Sequence, residues 1–431
     1  MKALLRALRY RNYRLFFYGQ SISLTGTWLT RVAISWLVYR LSRSVFLLGV
    51  VGFVGQIPTF LLVPLAGVLA DRWDRYRILV VTQVLLMAQV LTLAFLALSQ
   101  RIEIWHILVL SFVQGLINAF DIPARQTFLV QMVEKPEDLG NAIALNSSMF
   151  NSARLVGPAI AGILIATVGE GMCFLVDGLS YLAVIMSLLM MKVKPRKVER
   201  PFVHVLYELK EGFRYAFRFL AIRSILVLVG WVSLLGMSYT VLLPVFAKEV
   251  LHGGPGILGF LTSAAGLGAL GGAIYLALRQ SVFGLGKHIM VATGLGGAGL
   301  LFLAFSHSLD LSLLFIVLAS FGFMVQMASS NTILQTIVED DKRGRIMSLY
   351  TMAFLGMAPF GNLLVGVLAS HIGVPRTIMI SGIACMLASL LFYQKLPLLR
   401  EVIRPIYIRK GIIREVVSGI EVASQLTAPK D

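Results

Sequence analysis

The stretch "GVLADRWDRYR", residues 67–77, is a short charged segment between two long apolar runs. These runs cover residues 46–69 and 77–99, and about 20 apolar residues are enough for a helix to cross a bilayer. In hydrocarbon the backbone must satisfy its own hydrogen bonds, which a helix does within itself. The stretch therefore predicts a tight loop between two antiparallel transmembrane helices.

The same pattern of apolar runs continues through the whole chain. Of the 431 residues, 58% are hydrophobic and 14% are charged, against about 25% charged in an average soluble protein. The mean hydropathy is +0.83. We therefore predict an all-α membrane protein with twelve transmembrane helices in two pseudo-symmetric six-helix bundles. The predicted spans are 15–39, 46–69, 77–99, 104–124, 141–168, 171–191, 222–246, 256–279, 287–306, 311–333, 344–370 and 375–394.

A basic segment at 192–221 divides these spans into six and six. In it, apolar residues recur at helical spacing opposite charged ones, which predicts an amphipathic helix at the membrane surface. The predicted organisation is an N-terminal bundle, a cytoplasmic linker, a C-terminal bundle and a cytoplasmic tail, with bounds 1–191, 192–221, 222–394 and 395–431.

The distribution of basic residues predicts the orientation. The formal charge is +17, but it lies between apolar runs rather than on the polar surface that a nucleic-acid binder displays. Most Lys and Arg residues lie on the side of the two termini, which predicts that both termini are cytoplasmic. The opposite loops carry only Arg40, Arg43, Arg101, Lys248 and Arg376.

The two halves repeat each other at a shift of 204 residues. Duplicated six-helix halves are how many secondary transporters form a site that opens alternately to each side. The repeat therefore favours transport as well as the two-bundle fold. The matching pairs are Gly67 and Gly271, Arg75 and Arg279, Gln131 and Gln335, Gly140 and Gly344, Leu145 and Leu349, Gly157 and Gly361, Gly162 and Gly366, and Gly169 and Gly373.

The charged stretch resembles the signature loop of the major facilitator superfamily, and the resemblance runs from about residue 10 to 400. It implies a latch in which an acidic residue meets the positive N-terminus of a helix near Gly344 while the arginines reach lipid headgroups. The alternative is a short inner loop that merely collects arginines. The matching residues are Gly67, Asp71, Arg72, Arg75 and Arg77.

The fifth span contains "NSARLVGPAIAG", residues 151–162, which is similar to the Gly-Pro motif of the superfamily's exporters. Gly157, Pro158 and Gly162 are in register with that motif. Glycines let helices approach closely, and proline bends a helix. The alternative is a packing kink that says nothing about the direction of transport.

Two further stretches, "GTWLTRVAISWLVY" (26–39) and "DIPARQ" (121–126), resemble a bacterial exporter branch that includes the enterobactin exporter and the macrolide efflux proteins. This resemblance implies the bacterial cytoplasmic membrane. In one respect the chain departs from many proton-coupled drug exporters: Ser111 stands where they carry an arginine, three residues before Gln114.

Polar side chains follow one face of three helices in the first half, as expected if these helices line an aqueous cavity. The alternative is that they form hydrogen bonds between helices. Further polar candidates lie in the second half. The predicted cavity residues are Gln20, Thr27, Arg31, Gln114, Asn118, Asn151, Arg154, Gln326, Asn331 and Asn362.

Intramembrane charges are the candidates for chemistry. Arg31 and Asp177 are predicted at similar depth. They could form a structural ion pair, or Arg31 could face the cavity and hold an anionic part of the cargo. Asp177 and Asp121 are the candidates for carrying a coupling proton.

The sequence thus predicts a secondary transporter that exports an amphiphilic small molecule, such as a siderophore, drug or lipid-like compound, in exchange for protons. It contains no HExxH, GxSxG or GxxxxGK[ST] motif, so an enzyme and an ATP-driven pump are not expected, and neither is a cofactor or metal. The expected partners are the bilayer, the cargo and protons, with a monomeric chain. An importer, a uniporter or a non-transporting sensor are the alternatives.

Overall fold

The structure is a computed structural model, and every element of secondary structure in its described residues is helical. The backbone is described for residues 5–72, 74–133, 135–192, 205–279 and 282–410, and the side chains for the same residues except 63–72, 136, 205–210, 340 and 341.

The first half contains six long helices, and the second half continues with the same order after a short linker helix. The helices are α1 Arg11–Ser42, α2 Val45–Arg72, α3 Arg75–Leu98, α4 Ile104–Gln131, α5 Leu139–Val168, α6 Glu170–Leu189, the linker helix α7 Val205–Arg218, α8 Leu220–Val250, α9 Pro255–Ala277, α10 Leu285–Ala304, α11 Leu309–Ile337, α12 Asp340–Leu355, α13 Met357–Ile372 and α14 Val374–Arg409.

Eleven helical stretches among the described residues are long and apolar enough to cross a membrane, with α12 and α13 forming one of them. Helix α1 is 32 residues long and packs against α5 and α6, so it is the twelfth, although polar side chains lower its hydropathy. The prediction of an all-α membrane protein with about twelve spans is confirmed. Most helix ends lie within four residues of the predicted bounds, but α4 continues to Gln131 and α14 to Arg409, which is 7 and 15 residues past the predicted ends. The long extension of α14 takes up part of the predicted tail.

The repeat seen in the sequence reappears as equivalent backbone geometry. Gly169, between α5 and α6, has a φ of +86°, and its counterpart Gly373, between α13 and α14, has a φ of +84°. Each glycine ends one span and immediately precedes the next. Only glycine adopts this left-handed conformation without strain, so both halves use the same residue for the same tight connection.

Close glycine crossings join the two halves. Gly162 of α5 lies against α9, where a Cβ on it would be 3.1 Å from the Cα of Gly259. Its repeat partner Gly366 of α13 lies against α2, where a Cβ would be 2.9 Å from the Cα of Gly49. We call these four glycines the glycine seal. Their missing side chains let backbones of opposite halves touch, which is the usual way that helices associate in a membrane.

The glycine seal lies toward one end of the bundle. We call the end where α1 begins the near face, and the opposite end the far face. Gly49 is near the start of α2 and Gly162 is near the end of α5, so both are toward the far face. The hydroxyl of Tyr39 also donates a hydrogen bond to Glu249 of the other half at this end. The described contacts between halves therefore close the far face.

The start of the chain is held on the near face by a small polar cluster. A 3₁₀ turn, Arg6–Arg9, precedes α1, and the hydroxyl of Tyr10 donates a 2.7 Å hydrogen bond to Asp138 at the start of α5. Arg9 also donates to Asp138, and the amide of Ala7 donates to the side chain of Asn141 over 2.9 Å. The Tyr10 hydrogen bond, followed by the charges of the nearby arginines, lowers the pKa of Asp138 below its ordinary value of 3.8.

We predict that Gly259→Val opens the far face, whereas Gly256→Val on the same helix does not. A Cβ at Gly259 would lie 2.6 Å from the carbonyl oxygen of Pro158, but one at Gly256 meets nothing within 4 Å. Overpacking of this kind costs about 1–3 kcal/mol. The clash exists only when the far face is closed, so it destabilises the closed state. The measurement is labelling of an Arg31→Cys reporter by an impermeant maleimide added at the far face; the native cysteines are both buried. Equal labelling of the two valine variants would contradict the assignment of the seal.

We predict that Asp138→Asn releases the N-terminal turn. Because the folded-state pKa of Asp138 lies below its ordinary value, its ionised form stabilises the docked turn at neutral pH, and this contribution is lost as the pH falls through the lowered pKa. Hydrogen exchange at residues 6–10, corrected for intrinsic rates, should be faster in the variant at pH 7 and similar to wild type in strong acid. Asp310→Asn, which removes an exposed acid elsewhere, is the control. Unchanged protection in Asp138→Asn would show that the cluster does not hold the turn.

Candidate functional site

The predicted latch falls mostly outside the described residues. The side chains of Gly67, Asp71 and Arg72 are not described, although the backbone of α2 is helical through Arg72. Just beyond it, the side chain of Asp74 accepts a 3.0 Å hydrogen bond from the amide of Tyr76 and so caps α3.

Of the two remaining basic residues of the signature, Arg75 is the first residue of α3. The exposed side chain of Arg77 lies 3.8 Å from the carboxylate of Asp74. The latch itself stays a prediction.

The Gly-Pro motif on α5 contacts helices of both halves. A Cβ at Gly157 would lie 2.5 Å from the Cβ of Trp28, so this glycine lets α5 approach α1 at the tryptophan. One and a half turns farther, Gly162 belongs to the glycine seal. The motif is thus a packing surface that links α1, α5 and α9, and its position beside Trp28 connects it with the cavity.

Two arginines lie beside the ring of Trp28. The guanidinium carbon of Arg31 is 4.9 Å from the ring centroid, and that of Arg154 is 5.9 Å away. The two guanidinium groups are close enough to interact electrostatically. We call Trp28, Arg31 and Arg154 the arginine–tryptophan cluster. Trp28 was not among the predicted cavity residues, although its spacing of three from Arg31 places both on one side of the helix.

The cluster lies beneath the glycine seal and is open to solvent. Gly157, which touches Trp28, is five residues before Gly162, which is about 7.5 Å along a helix. Arg31 is nevertheless exposed and Arg154 is partly exposed. The backbone of Arg154 also contacts the other half, because a Cβ at Gly266 of α9 would lie 2.7 Å from its carbonyl oxygen. On the other side, Tyr239 of α8 lies within electrostatic reach of Arg154.

The remaining polar residues of the first half occupy mixed positions. Gln114 and Asn118 of α4 are partly exposed. Gln20 is buried, and the hydroxyl of Thr27 donates to the carbonyl oxygen of Ser23 on its own helix. Asn151 does the same toward Ser147, over 2.9 Å. Both of these hydrogen bonds are within a helix, and the side chain of Thr27 also interacts with the hydroxyl of Tyr181 on α6.

The polar candidates of the second half divide between the interior and the contact with the first half. Gln326 is fully buried, and neither its side-chain oxygen nor the hydroxyl of Ser329 has a hydrogen-bond partner. Asn331 is partly exposed and accepts from Gln335 over 2.6 Å. Asn362 instead lies against Gly49 and Gly52 of α2, at the far-face contact between halves.

Asp177 is buried in the contact between α1 and α6. It is 1% exposed, and a Cβ on Gly26 would lie 2.6 Å from its carboxylate oxygen. The hydroxyl of Ser180 lies 3.4 Å from the same oxygen. Arg31 makes no ion pair with Asp177 or any other acid among the described residues, so the structural ion pair that the sequence left open is not formed.

Asp121 has a different environment. It is fully buried and accepts hydrogen bonds from Thr82 over 2.9 Å and Gln83 over 2.8 Å, and Arg125 on the next turn forms an ion pair with it. These partners tie α3 to α4. The carboxylate of Asp121 is therefore enclosed and has partners on both oxygens.

Among the described residues, no cluster of three or more His, Cys, Asp or Glu side chains is close enough to hold a metal ion.

The sequence is similar to a family of membrane proteins and to individual transporters. The sequence model of a family described as "Transmembrane secretion effector" matches residues 3–403. The chain is 28% identical over 385 residues to the staphyloferrin A transporter of Staphylococcus aureus, covering 88% of this chain and 94% of that protein.

Two other relatives are efflux proteins. Identity is 25% over 385 residues with the multidrug efflux pump Tap of Mycolicibacterium fortuitum, covering 87% of this chain and 93% of the relative. It is 24% over 388 residues with macrolide efflux protein A of Streptococcus pyogenes, covering 87% and 94%.

Solved structures share the fold at lower identity. A bacterial homologue of the human lysosomal transporter Spinster, in an inward-facing and unoccupied conformation, aligns with a TM-score of 0.70 at 14% identity, covering 92% of this chain and 98% of that one. A POT family transporter in complex with a thioalcohol-conjugated peptide aligns with a TM-score of 0.74 at 11% identity, covering 90% and 96%. At these identities the likeness shows the fold alone.

Proposed function

Because this chain belongs to the transmembrane secretion effector family of the major facilitator superfamily, we propose that it exports an amphiphilic small molecule by alternating access, driven by proton exchange. The efflux activities named for two of its relatives support export, as does the Gly-Pro motif beside the cluster. We further propose that the near face, with both termini, is cytoplasmic in a bacterial cell, because basic residues accumulate there. A monomer is the proposed working unit.

The observation that carries the substrate class is the arginine–tryptophan cluster. Placing an arginine at the centre of a membrane helix costs about 2.5–3.5 kcal/mol on insertion scales. A cation–π contact returns about 0.5–2 kcal/mol, and Trp28 is shared by Arg31 and Arg154. The aromatic ring thus offsets part of the cost, and water or an anionic ligand supplies the rest.

An anionic amphiphile matches this arrangement. Its charged group would lie between the two guanidinium groups, which can donate several hydrogen bonds to a carboxylate or phosphate. Its apolar part would contact the partly exposed ring of Trp28. Closure of the near face would bring the second half, with the unsatisfied oxygen of Gln326 and hydroxyl of Ser329, toward the same cargo.

We propose that Asp177, and not Asp121, carries the coupling proton. Asp177 is buried beside α1 without a cationic partner among the described residues, whereas Asp121 is paired with Arg125. An unpaired buried carboxylate is expensive to keep ionised. Helix α1 packs on Asp177 through Gly26. A movement of α1 when cargo binds would change the exposure of this carboxylate and so link cargo binding to proton binding.

Arg31→Gln is expected to weaken transport of anionic compounds selectively. Losing a hydrogen bond to a charged group costs about 1.5–3 kcal/mol, which is a rise in KM of roughly 10- to 100-fold. The measurement is uptake into proteoliposomes of a fluorescent carboxylate amphiphile and of its uncharged methyl ester. Arg101→Gln, which removes an exposed arginine at the far face, is the matched control. Equal loss for acid and ester would refute Arg31 as the ligand of the anionic group.

Asp177→Asn is expected to abolish accumulation driven by a pH gradient while leaving exchange of cargo for cargo intact. Asparagine keeps the volume and the hydrogen bonds of the buried site but cannot release a proton. The two modes are measured in the same proteoliposomes, with Asp121→Ala as a comparison. That comparison variant should lose thermal stability instead, because removing one partner of a buried ion pair costs about 3–5 kcal/mol. Gradient-driven accumulation that survives in Asp177→Asn would exclude Asp177 as the carrier and leave export itself untouched.

A further inference from the structure

The linker helix α7 is docked on α12, the near-face half of the eleventh span. A Cβ at Gly212 would lie 3.2 Å from the Cβ of Arg345, so the two helices approach closely. Glu211 forms a 2.7 Å ion pair with Arg345, and the amino group of Lys342 lies 4.7 Å from the ring centroid of Tyr215. The orientation of α7 on the bundle is thus defined by several contacts.

A cavity of about 260 Å³ lies between these helices, and its lining is predominantly basic. Arg214 and Arg218 enter it from α7, and Lys342 and Arg345 from α12; Glu211 is the one carboxylate among the described lining side chains. Pockets that hold whole drug-sized ligands are larger, about 300–1,000 Å³. The volume and charge fit a small anionic group.

Two of these cations have no competing partner. Arg214 and Arg218 are exposed and make no ion pair with any residue whose side chain is described. They are four residues apart and therefore lie on one side of α7. Their guanidinium groups are available to an external anion.

The neighbouring face of α7 is aromatic, which indicates that the anion belongs to a lipid. Phe213 and Phe217 are exposed, and their rings stack with centroids 6.0 Å apart. Arg214 and Phe217 are three residues apart and therefore neighbours on the helix surface, so the aromatic pair adjoins the basic pair Arg214 and Arg218. An exposed aromatic pair next to a basic pair is the pattern of a helix lying in a membrane surface, with rings in the acyl region and cations at the headgroups.

We propose that the cavity between α7 and α12 binds the headgroup of one anionic phospholipid, whose phosphate is held by Arg214 and Arg218 and whose acyl chains lie along Phe213 and Phe217. A free phosphate ion would satisfy the arginines but would leave the phenylalanine pair uncovered. The bound lipid would join the linker to the span that also carries Gly366 of the glycine seal.

The test is native mass spectrometry of the purified full chain titrated with dioleoyl phosphatidylglycerol, dioleoyl phosphatidylcholine and inorganic phosphate. We expect one saturable phosphatidylglycerol site that binds roughly thirtyfold more weakly in Arg214→Gln/Arg218→Gln, since each basic residue near an anionic lipid contributes about fivefold in affinity. Arg400→Gln/Arg404→Gln removes two exposed arginines of α14 and should leave this site unchanged.

A second variant keeps the test decisive if the double variant folds poorly. Glu211→Gln removes the one carboxylate among the described lining side chains and should tighten phosphatidylglycerol binding about fivefold. Four results would overturn the proposal: equal binding of phosphatidylcholine, equal affinity for inorganic phosphate, an equal loss in the α14 control, or no gain in Glu211→Gln.

Discussion

The contact between backbones at the glycine seal determines where the two helix bundles are joined. In a membrane there is no hydrophobic force to press two helix bundles together, so the bundles associate where small residues let their backbones touch. Gly162 and Gly366 provide that contact at equivalent places in the two halves. Both crossings lie toward the far face, and the exposed Arg31 and the partly exposed Arg154 lie beneath them.

Three intramembrane charges of the first half, which the proposed function uses, have different surroundings. Arg31 and Arg154 share an aromatic ring and are reached by solvent. Asp177 is enclosed between α1 and α6. In the proposed function this separation gives the cargo and the proton different sites, with α1 as the helix common to both. The Gly-Pro motif contributes to each part, because Gly157 sets the distance between α5 and the tryptophan while Gly162 closes the far face.

The linker helix adds a connection to the membrane surface. It is fastened to α12 through Glu211 and Arg345, and α12 continues after Gly356 into α13. A change in the near-face contacts of α7 would therefore act on the same span that takes part in the far-face seal. The N-terminal turn, held by Asp138, lies on the near face of the other half, so each half has a polar attachment there.

By itself the sequence determined the membrane fold, the approximate spans and the internal repeat, because hydropathy and glycine spacing are read along one chain and a bilayer leaves helices as the available form. It also marked Arg31, Asp177 and the Gly-Pro motif as exceptional. Only the tertiary structure decided which partners the polar and charged side chains have. Asp177 faces Gly26 rather than Arg31, and Asn362 lies at a contact between halves. Asp121 has three partners, which are Thr82, Gln83 and Arg125. These outcomes depend on the rotation of each helix about its axis, which is fixed by packing against neighbours distant in sequence.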